Sequence, residues 1–120
     1  MCNNNPIISI VLTSRFKKDL IKLAKRYRSI RQDLTPLINQ LQIGETPGDQ
    51  ISGNKYQVFK VRLKNRDIQK GKSAGYRVIY YIKISQKIVL VTIYSKSDKS
   101  DIQNQIIEKI IQEFENSTTA

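Results

Sequence analysis

Apolar positions along the chain switch between two periods, and the switches mark the elements. After Pro6, the run Ile7-Ile8-Ser9-Ile10-Val11-Leu12 is short and β-branched and predicts a strand. Thr13 or Ser14 then offers an N-cap, and Phe16, Leu20, Leu23, Ala24 and Tyr27 recur at helical spacing. Ser29 with Gln32 three residues on makes a capping-box pattern, opening a second helix with the stripe Ile30, Leu34, Leu37, Ile38 and Leu41. Pro36 falls inside that stripe, so this helix is expected to kink there or to restart with Thr35 as N-cap. Gly44 ends it, and Gly44 to Gly53 reads as a loop.

The middle of the chain alternates instead. Phe59, Val61 and Leu63 fall on one face of a strand, and Tyr56, Val58, Lys60 and Arg62 on the other. Asn65 to Gly75 is polar, basic and glycine-containing, and reads as a long exposed hairpin loop. Tyr76 to Ile84 and Lys87 to Tyr94 are two further strands with a tight turn at Ser85-Gln86. Ser97 is expected to cap a last helix, with Asp98 and Asp101 in its first turn. Its stripe runs through Ile102, Ile106 and Ile110, widened by Ile107, Ile111 and Phe114, and residues 116–120 are expected to fray. The order β-α-α-β-β-β-α implies an α+β fold: a small antiparallel sheet, an N-terminal helical hairpin on one face, and a C-terminal helix.

At 120 residues and 13.9 kDa the chain is expected to form one domain, 1–120, with a single core. No apolar run approaches the roughly 20 residues that span a bilayer, and the start lacks the pattern of a signal peptide, so a cytoplasmic protein is expected. Cys2 is the single cysteine, which excludes an internal disulfide and suits a reducing compartment. The absence of histidine removes imidazole acid–base catalysis, His-containing triads and His-ligated metals; neither metal nor cofactor is expected.

Charge narrows the partners. The net charge is +11 with a pI near 9.9, a balance that points to phosphate or to an acidic protein. Eight cations lie between Arg15 and Arg31 against Asp19 alone, and eight more between Lys55 and Arg77 against Asp67 alone. The C-terminal region reverses the sign, with Asp98, Asp101, Glu108, Glu113 and Glu115 against Lys99 and Lys109.

Alternation shows which cations can cooperate. Arg77, Ile79, Tyr81 and Lys83 share one face of their strand, while Tyr76, Val78, Tyr80, Ile82 and Ile84 form a more apolar face that should meet the helices. Arg77 is therefore expected beside Lys60 and Arg62 on the opposite face. Three cations with no interleaved carboxylate repel one another, an arrangement useful where an anion binds. Gly71-Lys72-Ser73 is not a phosphate-binding P-loop, because Arg66 stands where its first glycine belongs; it reads as a flexible basic loop. Tyr56 and Tyr94 are the aromatic candidates for stacking on unpaired bases.

The stretch Tyr56 to Leu63, then Lys72-Ser73-Ala74-Gly75-Tyr76-Arg77-Val78-Ile79-Tyr80-Tyr81, then Ile93-Tyr94-Ser95-Lys96-Ser97-Asp98 followed by Asp101-Ile102, resembles the RelE/ParE toxins of type II toxin–antitoxin systems, in the RelE/HigB-like subgroup. The resemblance implies a ribosome-dependent endoribonuclease that cuts messenger RNA by attack of a ribose 2′-hydroxyl on the adjacent phosphate, without a metal. It also implies an antitoxin that binds the toxin, and contact with ribosomal RNA. The catalytic candidates it implies are Lys60, Arg62, Arg77 and Tyr94: Lys60 as a base made less basic by its cationic neighbours, Arg77 as the phosphate clamp, Arg62 in support. Lys55, Lys64, Arg66, Lys70, Lys72, Lys96 and Tyr56 are the candidates for RNA contact. Ser97 and Gln103 stand where well-studied relatives place an arginine and a tyrosine, with Tyr94, Lys96 and Asp98 near enough to substitute. The same fold also hosts ParE-type gyrase inhibitors, and those departures fit an inactive RNA-binding relic; the cluster of Lys60, Arg62 and Arg77 favours the nuclease.

Overall fold

A computed structural model describes residues 8–68, 75–84, 86–99 and 101–118. Cys2, Lys70, Lys72, Ser85 and the triplet at 71–73 lie outside the described residues. The elements are β1 (Ser9–Leu12), α1 (Ser14–Ala24), α2 (Ile30–Gln42), β2 (Asp49–Gln50), β3 (Gln57–Leu63), β4 (Tyr76–Ile84), β5 (Lys87–Ser95) and α3 (Asn104–Thr118). The sheet order is β1-β5-β4-β3-β2.

Each element has a local cause. Thr13 caps α1: its hydroxyl accepts from the Phe16 amide at 2.9 Å and donates to the Val91 carbonyl at 2.7 Å, tying the cap to β5. The capping box expected at Ser29 does not form. Asp67, from the loop after β3, accepts from the Ser29 amide instead, while Gln32 accepts from Arg66. α2 runs unbroken through Pro36 and does not restart at Thr35, whose hydroxyl bonds back to the Arg31 carbonyl.

Four further expectations differ from the structure. The sheet is mixed, because β1 runs parallel to β5. A tight turn forces antiparallel pairing, but both helices and three strands separate β1 from β5, so the connection imposes no direction. The segment from Gly44 to Gly53 is not all loop, since Asp49 and Gln50 pair with Lys60 and Phe59. Nor does Ser97 cap the last helix. Its surroundings form a turn on the end of β5, with Asp98 and Lys99 amides bonded to the Ser95 carbonyl, and α3 begins only where the Gln103 carbonyl accepts from Ile106 and Ile107. Finally, residues 116–118 are helical rather than frayed.

The sheet is covered on both faces. Phe16, Leu23, Leu34, Leu37 and Leu41 of the helical hairpin pack on Phe59, Val61, Tyr76, Val78 and Tyr80, the face read as apolar from the sequence. Ile107, Ile110 and Ile111 of α3 pack on Val58, Ile79, Tyr81, Val89 and Val91 of the other face. Burial of these side chains at roughly 25 cal/mol per Å² of apolar surface is the main source of stability.

Candidate functional site

The antiparallel register builds the candidate site. Arg62 of β3 lies opposite Arg77 of β4, and Arg77 lies opposite Tyr94 of β5, so the three form one row on the α3 side of the sheet. Lys60 stands two residues from Arg62 and points to the same face. The sequence-derived grouping of Lys60, Arg62 and Arg77 therefore holds.

Tyr94 joins the row through an irregularity. Pairing of β4 with β5 shifts by one residue between Ile79, opposite Thr92, and Tyr80, opposite Leu90, leaving Val91 as the extra residue of a bulge. Strict alternation from Ile88 and Leu90, which face the helical hairpin, would send Tyr94 to that side as well. The bulge turns it to the Arg77 side.

The row differs sharply in exposure. Arg62 is open to solvent, whereas Arg77 is only 7% exposed. One guanidinium nitrogen of Arg77 donates to the Tyr76 carbonyl at 3.4 Å, and among the described residues no carboxylate pairs with it. A buried cation without a counter-ion is costly, and it holds unused donors in place for an anion. Tyr94 is 5% exposed, so its ring is core and not a stacking platform. Burial pushes its hydroxyl's pKa up, the nearby Asp101 carboxylate adds to this, and Arg77 opposes it. That hydroxyl lies beside Asp101 yet makes no hydrogen bond of regular geometry.

The expectation of a cluster without a carboxylate is corrected here. Lys60 Nζ lies 3.1 Å from Asp101 Oδ1, on the short segment before α3. Asp101 is not in a helical first turn: α3 begins only at Asn104, and the side chain reaches the sheet. The Ile102 amide donates to the same oxygen at 2.9 Å, and together with Lys60 it holds the carboxyl below the usual aspartate range.

The outer candidates are dispersed. Lys55 is exposed, with its ammonium 5.8 Å from the Tyr56 ring centre, and that half-buried ring leans on Tyr81. Lys64 and Arg62 line an open groove of about 510 Å³ between β3 and α2, with Leu63, Arg66, Asp33 and Pro36. Arg66 is committed to the fold: its side chain bonds buried Asp33 at 2.7 Å and Gln32 at 3.1 Å. The Lys96 amide bonds the Gly75 carbonyl, which places this lysine at the mouth of the β4–β5 ladder beside the row. Ser97 pairs its hydroxyl with Ser95, Gln103 starts α3, and Asp98 forms a two-pronged pair with Arg26 at 2.9 and 3.2 Å. Asp98 is therefore not in the first turn of α3.

Among the described residues no helix is long and apolar enough to cross a membrane. No curated protein sequence matches the chain. A family model described as the RelE toxin of the RelE / RelB toxin-antitoxin system matches residues 14–118, which include both helices of the hairpin, every strand of the candidate row and all of α3. The chain belongs to the RelE toxin family.

Proposed function

We propose that this toxin is a ribosome-dependent endoribonuclease that cuts messenger RNA in the cytoplasm and is silenced by a cognate antitoxin. The observation that carries the reading is Arg77: buried, opposite Arg62, and without a carboxylate partner among the described residues. A like-charged pair at one rung of a sheet weakens it unless an anion bridges the two. A phosphodiester is such an anion, and the arginine fork matches its oxygens.

Cleavage by the 2′-hydroxyl requires cations where the phosphorane gathers charge, a proton acceptor for the 2′-oxygen and a donor for the departing 5′-oxygen. Arg77 and Arg62 supply the first. Lys60, an ammonium at the edge of the row, supplies charge and a proton for the leaving oxygen, a role that its ion pair favours over that of a base made less basic by cations. Tyr94 walls the site. Lys55, Lys64, Lys70, Lys72 and Lys96 draw in messenger and ribosomal RNA through counter-ion release. Of the two arginines, Arg77 alone is fixed by burial, so the clamp is preorganised.

Purified chain added to ribosomes programmed with a defined message tests this. Cleavage on the ribosome that disappears with Arg77→Lys is expected; cleavage that is indifferent to this change contradicts the assigned clamp.

A further inference from the structure

An RNA-cleaving site without histidine still needs an acceptor for the 2′ proton, and the groups around the row leave few choices. Arginine stays protonated at any working pH, which removes Arg62 and Arg77. Tyr94 is buried, and burial disfavours its phenolate. Lys60 donates to Asp101. Asp98 is held by Arg26. Among the described residues, the carboxylate left beside the row is Asp101, which touches Lys60, lies near the Tyr94 hydroxyl and has a side chain 65% exposed against 33% for Lys60, so it is open to a bound chain.

We propose that Asp101 is the general base of the cleavage reaction and that Lys60 is its paired acid. This rests on the nuclease reading above. The Asp101 carboxylate takes the proton of the ribose 2′-hydroxyl as that oxygen forms a bond to phosphorus. The bond from phosphorus to the 5′-oxygen breaks, and the Lys60 ammonium gives that oxygen a proton. The products are a 2′,3′-cyclic phosphate and a 5′-hydroxyl, with no water consumed. Asp101, now a carboxylic acid, returns its proton to the neutral Lys60 amine across the 3.1 Å contact, which restores the ion pair for the next turnover.

The geometry explains why the acid sits in so basic a site. A carboxylate facing RNA repels phosphate, so as a binding device Asp101 is counterproductive. As a helix cap it is also poorly placed, since its oxygen bonds the next residue's amide two positions before α3 begins. A base held ionised by a lysine and one amide donor has neither problem, because it acts on a hydroxyl rather than on the phosphate.

The test compares wild type, Asp101→Asn and Asp101→Glu in single-turnover cleavage on programmed ribosomes, with ribosome binding measured in parallel. Asparagine keeps an acceptor for the Ile102 amide, so the variant should fold, which its melting curve checks. The expected result is a fall in cleavage of about 100-fold or more for Asn, with binding unchanged or tighter and partial recovery for Glu. Cleavage by Asp101→Asn within about threefold of wild type, or binding that falls in step with cleavage, overturns the assignment and leaves the nuclease reading standing. A wild-type chain that cuts nothing overturns both.

Discussion

Arg62 and Arg77 face each other across β3 and β4, two guanidinium groups at one rung of the ladder, the second of them buried. A fold optimised for stability alone would not hold them so. Even buried ion pairs are often replaced by well-packed apolar side chains of similar volume at no loss, or with a gain of about 1–4 kcal/mol, and an unpaired buried charge has no partner to offset its desolvation. Arg77→Met is therefore expected to abolish cleavage while leaving unfolding free energy unchanged or about 1 kcal/mol higher. Urea denaturation measures this, and a clear loss of stability would show that Arg77 has a structural role.

Gly48 lies next to the site from the other edge of the sheet. Its φ is +97°, and a Cβ there would stand 2.4 Å from the Lys60 carbonyl oxygen. Gly48→Ala must displace either β2 or the strand that carries Lys60, at a cost of roughly 1–3 kcal/mol for the strained backbone. A lower melting temperature with reduced cleavage is the expected pair of effects; a variant equal to wild type in both would mean that β2 does not position Lys60.

Stability should fall at both ends of the pH scale. The pKa of Asp101 is lowered below its unfolded value of 3.8 by the Ile102 amide and Lys60. Burial acts to raise Glu115, but the Tyr81 hydroxyl and Lys83 outweigh it and hold it below 4.5. A folded pKa below the unfolded one contributes stability that is present above the unfolded value and lost as pH falls through the folded one. Burial raises Tyr76, Tyr80 and Tyr81 above 10, the Glu115 carboxylate adding to the effect at Tyr81. Their contribution is present below pH 10 and lost as pH rises through the folded values. Ultraviolet titration should show these tyrosines ionising together with unfolding; ionisation near pH 10 in the folded chain would contradict their burial.

Arg26 and Asp98 join the turn after α1 to the turn after β5 across an exposed pair. Solvent and salt screen an exposed pair, which therefore contributes little. Asp98→Ala should leave the melting temperature nearly unchanged and helix content intact by circular dichroism. A loss of helical signal would restore Asp98 to the helical first turn that the sequence pattern suggested.

Much of this architecture was legible in the residues, for reasons that also show where legibility stops. The period-two alternation of Gln57 to Leu63 and Tyr76 to Lys83 is a local property, so it assigned Lys60, Arg62 and Arg77 to one face correctly. The place of Tyr94 depends on a bulge at Val91, and no residue there announces one. Ser97, Asp98 and Asp101 look like cap and first-turn acids, but Asp98 is held by Arg26, 72 residues away, and Asp101 by Lys60, 41 residues away. Long-range partners outcompeted local capping. The direction of β1 likewise depends on its partner and not on its own β-branched run.

Mapping new 5′ ends in growing cells tests whether the Arg77 row cleaves translated messages. Induction of the wild-type chain should produce in-frame cuts within translated regions, absent after induction of Arg77→Ala at equal level and with equal circular dichroism. Growth arrest by wild type without new 5′ ends, accompanied by DNA damage, would contradict the account and point to gyrase instead.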